Sequence, residues 1–252
     1  MNGTVAPIAL LGAMDEEVDG LRKQMTVEGR VASRGWSLCH GRWAGRKLLL
    51  VRTGPGRHSA EEATEFLMTH YPVGSIVSFG FGGALTGELR VGDLLLCSLL
   101  HRGNGDAGMD SCVSDPTMLA TAERVSKGTA GKVGLGAAVT VDRLVRTREE
   151  RSALRETFGA EVVDMESYWV GMRARAWGIP FLAIRAVSDT VADSLPPFDR
   201  FFDPDGRWLW SRATAHFLAH PGDLARMPAV YRNARRAASS LTRLLGALVP
   251  NL

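Results

Sequence analysis

Short apolar runs ending in glycine or another small residue alternate with amphipathic stretches along most of this chain. No other feature restricts its fold as much. Ala6–Gly12 (APIALLG) reads as a buried strand, and Asp15–Met25 as the helix after it, with Val18, Leu21 and Met25 at helical spacing. Asp15, Glu16 and Glu17 fall in that helix's first turn, where acids complement the positive end of the dipole. Trp36–His40 and Lys47–Arg52 read as strands with a turn at Ala44-Gly45. Thr53-Gly-Pro-Gly56 is a tight turn into a helix over Arg57–Tyr71. Ser75–Phe79 is a strand running into Gly80-Phe-Gly-Gly83, and Val91–Leu100 is another. Pro116–Ser126 reads as a helix, Gly134–Val141 as a strand, Arg148–Phe158 and Val163–Trp177 as helices, and Pro180–Ser188 as a strand. This order predicts a single α/β domain with a mixed, mostly parallel central sheet flanked by helices. Ligands of such sheets bind beyond the carboxyl ends of strands. That singles out Gly12–Glu17, Gly54–Ser59, Gly80–Ala84, Val141–Val145 and Ser188–Asp189.

The texture changes past Asp189, which predicts a main domain over residues 1–193 and a loop and helical C-terminal extension over 194–252 packed on it. Thr190–Gly206, rich in Pro and Asp, reads as a long loop, and Trp208–Leu218 as a short aromatic helix. Pro228–Val249 reads as a helix with a seam at Tyr231, Ala234, Ala238, Leu241, Leu245 and Leu248. From Leu224 onward there are five arginines (226, 232, 235, 236 and 243) and no acid. The helix either packs its seam on the domain or a second subunit, or lies on a membrane surface. A net charge of +3 is too mild to imply nucleic-acid binding. Cys39, Cys97 and Cys112 are too few and scattered for a disulfide framework, which points to reduced thiols and a cytoplasmic protein. No metal-ligand spacing or P-loop occurs. Gly103-Asn-Gly-Asp-Ala-Gly108 matches GxGxxG in form, but Met109-Asp-Ser-Cys follows it and no helix does, so the match is accidental.

Four segments carry candidate chemistry. In Gly12-Ala-Met-Asp-Glu-Glu17 the acids either start a helix or place Glu17 as a general base on water. In Gly80-Phe-Gly-Gly-Ala84 glycines let backbone N–H groups approach a ligand closely. In Val163-Asp-Met-Glu-Ser167 a carboxylate either caps a helix or accepts hydrogen bonds from a pair of ribose hydroxyls. Asp189, after the apolar strand, either caps the next segment or is a partly buried acid able to donate a proton.

Taken together and in order, GAMDEEV, GFGGAL with RVGDLLL, VVDMES and IRAVSD resemble the nucleoside phosphorylase/nucleosidase superfamily over roughly Pro7 to Asp193. The branch most similar in these motifs is methylthioadenosine/S-adenosylhomocysteine nucleosidase. Ser194-Leu-Pro-Pro197, Asp203-Pro-Asp-Gly206 and Phe217–Pro228 resemble instead the hopanoid-biosynthesis-associated subgroup, implicated in removing adenine from adenosylhopane. The resemblance implies cleavage of the N-glycosidic bond of a 5′-substituted adenosine with release of adenine, adenosylhopane being the first expectation and methylthioadenosine or S-adenosylhomocysteine the alternative, with no cofactor or metal. By resemblance Asp189 assists protonation of the purine N7 and Ser188 positions it. Glu166 holds the ribose hydroxyls, Met165 packs on the sugar, and Glu17 activates water.

Phe81, beside Gly82, stands where the methylthioadenosine enzymes carry a small polar residue, and Leu144 and Val145 stand where those enzymes have an aromatic and an aliphatic residue near the base. Glu17 near the ribose favours water over phosphate, yet Arg57 and Ser59, with Arg52, Arg143 and Arg146, offer a possible phosphate site. Leu195, Pro196, Pro197, Phe198, Phe201, Phe202, Trp208 and Trp210 could line a channel for an apolar 5′ group, or simply pack. The partners implied are a small-molecule adenosine derivative and a second copy in a homo-oligomer, with phosphate as the alternative nucleophile and a membrane surface as the alternative contact of the basic helix. A non-catalytic purine-binding module is the alternative to an enzyme.

Overall fold

The computed structural model describes residues 6–33, 35–104, 110–129, 131–201, 203 and 209–252. Most of Gly103–Gly108, Phe202, Pro204–Gly206 and Trp208 therefore lie outside the described residues.

Strand β1 (Ile8–Gly12) is buried throughout and lies between β4 (Arg46–Arg52) and β5 (Ser75–Ala84), parallel to both. On its far side β4 turns through Ala44-Gly45 into β3 (Ser37–Trp43), which pairs with β2 (Thr26–Ala32). Both turn residues have positive φ, 47° and 80°, as a two-residue hairpin loop needs. Strand β2 escapes the periodicity reading because it is an edge strand, exposed and half-buried by turns, with a glycine in the middle.

On its other side β5 pairs with β10 (Phe181–Asp189), which pairs with β6 (Leu94–Arg102). Strand β6 runs beside β8 (Val133–Thr140), which runs beside β9 (Val162–Asp164), and β9 returns to the end of β5. Five strands thus close a circuit. The short β7 (Ser111–Val113) adds to β6. The sheet is mixed, with five parallel and five antiparallel pairings among the described residues.

Helices cover the sheet. They are α1 (Asp15–Arg22), α2 (Arg57–His70), α3 (Pro116–Ser126), α4 (Arg148–Phe158), α5 (Ser167–Ala176), α6 (Trp210–Ala219) and α7 (Pro221–Leu248). Helices α3 and α4 match the sequence reading to the residue. Asp115 and Thr147 accept backbone N–H bonds at their starts, and Gly159 in the left-handed region ends α4.

Three helix assignments need correction. Helix α1 stops at Arg22, so Met25 joins the core from a turn. Val163–Trp177 is not one helix: Val162–Asp164 is a strand in the closed circuit, and α5 starts at Ser167. Helix α7 begins at Pro221 and carries Pro228 inside it. Its second half buries Ala237, Leu241, Leu244, Leu245 and Leu248 with the apolar groups of β1, β4 and β10. Its first half stays largely outside, and Tyr231, read as part of the seam, is exposed. Among the described residues no helix is long and apolar enough to cross a membrane.

Candidate active site

The site begins where β1 and β5 part. Their pairing ends at Leu11 and Ser78, while β5 continues to Ala84. Past that fork the edge of β5 has lost its partner, and its backbone donors need acceptors. Glu17 supplies one. Its Oε1 accepts from the Phe81 amide at 2.7 Å, and its Oε2 from Ala13 and Met14 at 2.6 and 2.9 Å. A carboxylate has about four acceptor positions, so the backbone leaves Glu17 about one free. Burial raises its pKa, against those three amide donors and the nearby Arg185 charge.

A methyl group on Gly80 would lie 2.8 Å from Glu17 Oε1. Gly80→Ala is therefore expected to displace the carboxylate and destabilise the protein by about 1–3 kcal/mol. Urea denaturation should show a lower midpoint at an unchanged slope. An unmoved midpoint would mean that Glu17 is not fixed against this strand.

Across the fork stands Glu166, half-buried in the bend between β9 and α5. Its Oε1 accepts from the Gly56 amide at 2.7 Å. Gly56 has φ +82°, and a side chain there would be strained. The N-terminus of α2 thus meets a carboxylate of the chain itself. Burial, together with the neighbouring Asp164 and Glu17, pushes the Glu166 carboxyl up to about 8, against Gly56 and Arg185. Glu17, Glu166, Thr53, Ser78, Gly80 and Arg185 line one narrow cleft. A wider open groove, lined by Trp36, Glu62 and Phe66, runs along α2 on another part of the surface and touches none of these groups.

Arg185 is the residue that sequence reasoning passed over. It reads as one polar position inside an apolar strand, yet it is 2% exposed. Its Nε donates to Asp164 Oδ2 at 2.6 Å and its Nη2 to Ser78 Oγ at 2.9 Å. Asp164 also accepts from Thr140 Oγ1 at 2.5 Å, from the Ser167 amide at 3.0 Å and from the Ser167 hydroxyl. This satisfied network ties the ends of β8 and β9 and the middle of β10 to the start of α5, on either side of Glu166. The signal that could have found it was an arginine and an aspartate in segments otherwise apolar enough to be fully buried.

Asp189 ends β10 opposite Gly83, four residues beyond Arg185, which is opposite Gly80. At about 3.3 Å per residue, the two positions lie roughly 10–13 Å apart along the same pair of strands, three residues apart on β5 and four on β10. The register slips between Val187 and Asp189, a bulge of the kind that re-aims a side chain. Asp189 is 5% exposed. Its Oδ1 accepts from Ser188 Oγ at 2.6 Å, and its Oδ2 is paired with the guanidinium of Arg151 on α4.

The other sequence candidates fall around this line. Met165 is half-buried beside Glu166. Phe81 is half-buried and packs on the core next to Glu17, and Gly82's carbonyl lies 3.5 Å from Ser188 Oγ. Val145 is buried and its carbonyl accepts from Arg151, while Leu144 beside it is half-buried. Arg57 donates to Glu61 at 3.2 Å and stacks 4.0 Å over Trp169, and Ser59 is buried. Arg52 bonds the Gly35 carbonyl, Arg143 pairs with Glu150, and Arg146 bonds the Leu195 carbonyl. These arginines are held by separate partners.

The profile of a family described as the phosphorylase superfamily matches residues 7–245. The 5′-methylthioadenosine/S-adenosylhomocysteine nucleosidase of Bacillus cereus (strain AH187) is 27% identical over 211 residues, covering 78% of this chain and 91% of that protein. Two solved structures share the fold. One is the 5′-methylthioadenosine/S-adenosylhomocysteine nucleosidase from Neisseria meningitidis in complex with methylthio-immucillin-A, with a TM-score of 0.79 and 22% identity, covering 98% of this chain and 100% of that one. The other is the futalosine hydrolase of Helicobacter pylori strain 26695, with a TM-score of 0.78 and 19% identity, covering 98% and 99%.

Proposed function

The chain belongs to the phosphorylase superfamily, and on that footing we propose that it is a nucleosidase releasing adenine from a 5′-substituted adenosine by hydrolysis. The observation that carries this reading is the grouping of Glu17, Glu166 and Arg185 in one cleft, with Asp189 farther along the same strand pair. In this reading the ribose lies at the first group and the base reaches toward Asp189. Glu166 accepts hydrogen bonds from the ribose hydroxyls, with Met165 against the sugar. Phe81, Gly82, Leu144 and Val145 bound the remaining walls.

Two carboxyls of opposite duty then break the bond, as in glycosidases. Asp189, carrying a proton and oriented by Ser188, gives it to the purine N7. The electron pair of the C1′–N9 bond stays with the base, which leaves neutral. Glu17 takes a proton from water as the oxygen bonds to C1′. The Arg185 charge beside Glu17 and Glu166 opposes the rise that burial imposes on both carboxyls.

Water is favoured over phosphate by the start of α2. Gly56's amide is occupied by Glu166 and Arg57 is turned to Glu61, so neither is free for an anion. The test is free adenine measured from methylthioadenosine, S-adenosylhomocysteine and an adenosine with a polycyclic apolar 5′ group such as adenosylhopane, with and without phosphate. Adenine release independent of phosphate supports the reading. Binding of adenine with no release from any of the three overturns it in favour of a purine-binding module.

The similarity to the methylthioadenosine enzymes favours a small thioether at the 5′ position. A second reading, adenosylhopane in hopanoid biosynthesis, is favoured by the exposed apolar side chains Trp210, Leu218 and Leu224 on α6 and α7, which suit contact with a lipid-like substrate. Against an open apolar channel, Pro196, Pro197 and Phe201 are buried, and Phe201 packs on Phe217. Turnover confined to the apolar substrate would decide for the second reading.

Glu166 gives a pH prediction. Its carboxyl sits at about 8, and ribose binding needs it ionised. Below that pH the ionised fraction falls about tenfold per unit, so KM is expected to improve as the pH rises from about 6.5 to about 8.5. Stability runs the other way. The folded-state value lies above the ordinary glutamate value of 4.5, so the folded protein holds more protons in between. The stability held by protonated Glu166 is fully present below about 4.5 and is lost as the pH climbs through about 8. Melting temperatures across that window should decline in the wild type, and less so in Glu166→Gln.

A further inference from the structure

Arg151 is 1% exposed, on a helix that no sequence motif singled out. Its Nη2 is paired with Asp189 Oδ2, and the Val145 carbonyl lies 3.4 Å from the same nitrogen. Its Nη1 donates to the Ala84 carbonyl at 2.9 Å, and its Nε has no partner among the described residues. Burying a guanidinium is costly unless it is paired. A cation so enclosed, on an outer helix, is placed by something more than packing. Gly83 leaves the room: a methyl group there would lie 2.8 Å from Arg151 Nη1 and 2.9 Å from Asp189 Oδ2.

We propose that Arg151 is a positioning residue for the leaving base, acting through Asp189. This rests on the proposed reaction. When Asp189 passes its proton to the purine, negative charge appears on its carboxyl, and Arg151 is fixed at hydrogen-bond distance from the oxygen that receives it. Donors set in advance where charge develops lower a barrier most in a buried site. The remaining charged groups on the surrounding elements are engaged elsewhere. Arg185 and Asp164 pair with each other, Arg143 with Glu150 and Arg155 with Glu161, Arg146 bonds the Leu195 carbonyl, Asp193 accepts from Thr190, and Glu17 faces Gly80. Arg151 is thus the cation in direct contact with Asp189 among the described residues.

The arrangement separates charge from geometry. Arg151→Met is expected to lower kcat for base release about a hundredfold with KM within about threefold. It should also move the alkaline limb of the kcat/KM profile up by about one pH unit or more, because the carboxylate loses its counter-ion. Arg151→Lys keeps the charge without the fork. It should recover about tenfold of the lost kcat and hold the limb near its wild-type position. In an Asp189→Asn background the Met substitution should cost less than about threefold, since the two residues act as one unit.

An unmoved limb in Arg151→Met, or full additivity with Asp189→Asn, overturns the proposal. If the Met variant does not fold, Arg151→Gln with an unchanged kcat and an unmoved limb overturns it equally. A direct readout needs no turnover: the infrared C=O band of protonated Asp189, identified by its loss in Asp189→Asn. That band should persist to higher pH in Arg151→Met than in the wild type. Identical titrations overturn the proposal. A wild type inactive on every purine nucleoside fails the proposed reaction instead, while the infrared titration still judges the ion pair.

Discussion

Asp189→Asn is expected to lower kcat/KM for adenine release by about a thousandfold, within the range that a positioned acid contributes. The amide keeps the shape of the carboxyl and an oxygen that can accept from Arg151 or Ser188, so the fold and the base site survive. What it lacks is a proton that can be handed to N7, and the purine must then leave as an anion. Steady-state kinetics on the best substrate of the panel reads the loss, and calorimetry with adenine reads retained binding. Activity within tenfold of wild type would remove Asp189 from the reaction. A loss of binding equal to the loss of rate would give it a binding role alone.

The largest expected effect on stability comes from Asp164→Ala. Asp164 is the acceptor for Arg185, Ser167 and Thr140, and it lies wholly inside the protein. Removing it leaves a buried guanidinium without its counter-ion, a change that costs about 3–5 kcal/mol. For a chain of this size that corresponds to a melting temperature lower by roughly 10 °C or more. The cost is in the uncompensated charge, so Arg185→Met placed on top of Asp164→Ala is expected to recover part of it. Calorimetric melts of the two single variants and the double variant make the test. Additive losses would show that the pair contributes nothing beyond its separate contacts.

The same buried pair marks the boundary of what the linear pattern could show. Apolar runs identified β1, β4, β5, β6, β8 and β10, because burial on both faces forces continuous apolar stretches. Caps and breakers gave α3 and α4 their ends. Val162–Asp164 misled the periodicity reading because three strand residues set directly before a helix carry too little pattern to separate them from it. Strand β2 was missed because its partner strand, and not a buried face of its own, holds it in place. Among the candidate site residues, Glu17, Ser188 and Asp189 drew attention by standing just past apolar strands, and Glu166 by standing with Asp164 at an expected helix start. Arg151 and Arg185 did not, one inside a charged helix and the other inside an apolar strand, where single positions say nothing about their partners.

Alternation of strand and helix, and the positions of the acids at strand ends, were therefore set locally, by side-chain periodicity and turn chemistry acting over a few residues. The fork between β1 and β5, the closing of β5, β10, β6, β8 and β9 into a circuit, and the pairing of Arg185 with Asp164 and of Arg151 with Asp189 were decided by tertiary structure. The physical reason is that a buried charge or a freed backbone N–H is satisfied by whichever group the fold brings within about 3 Å, and that group is often far away along the chain.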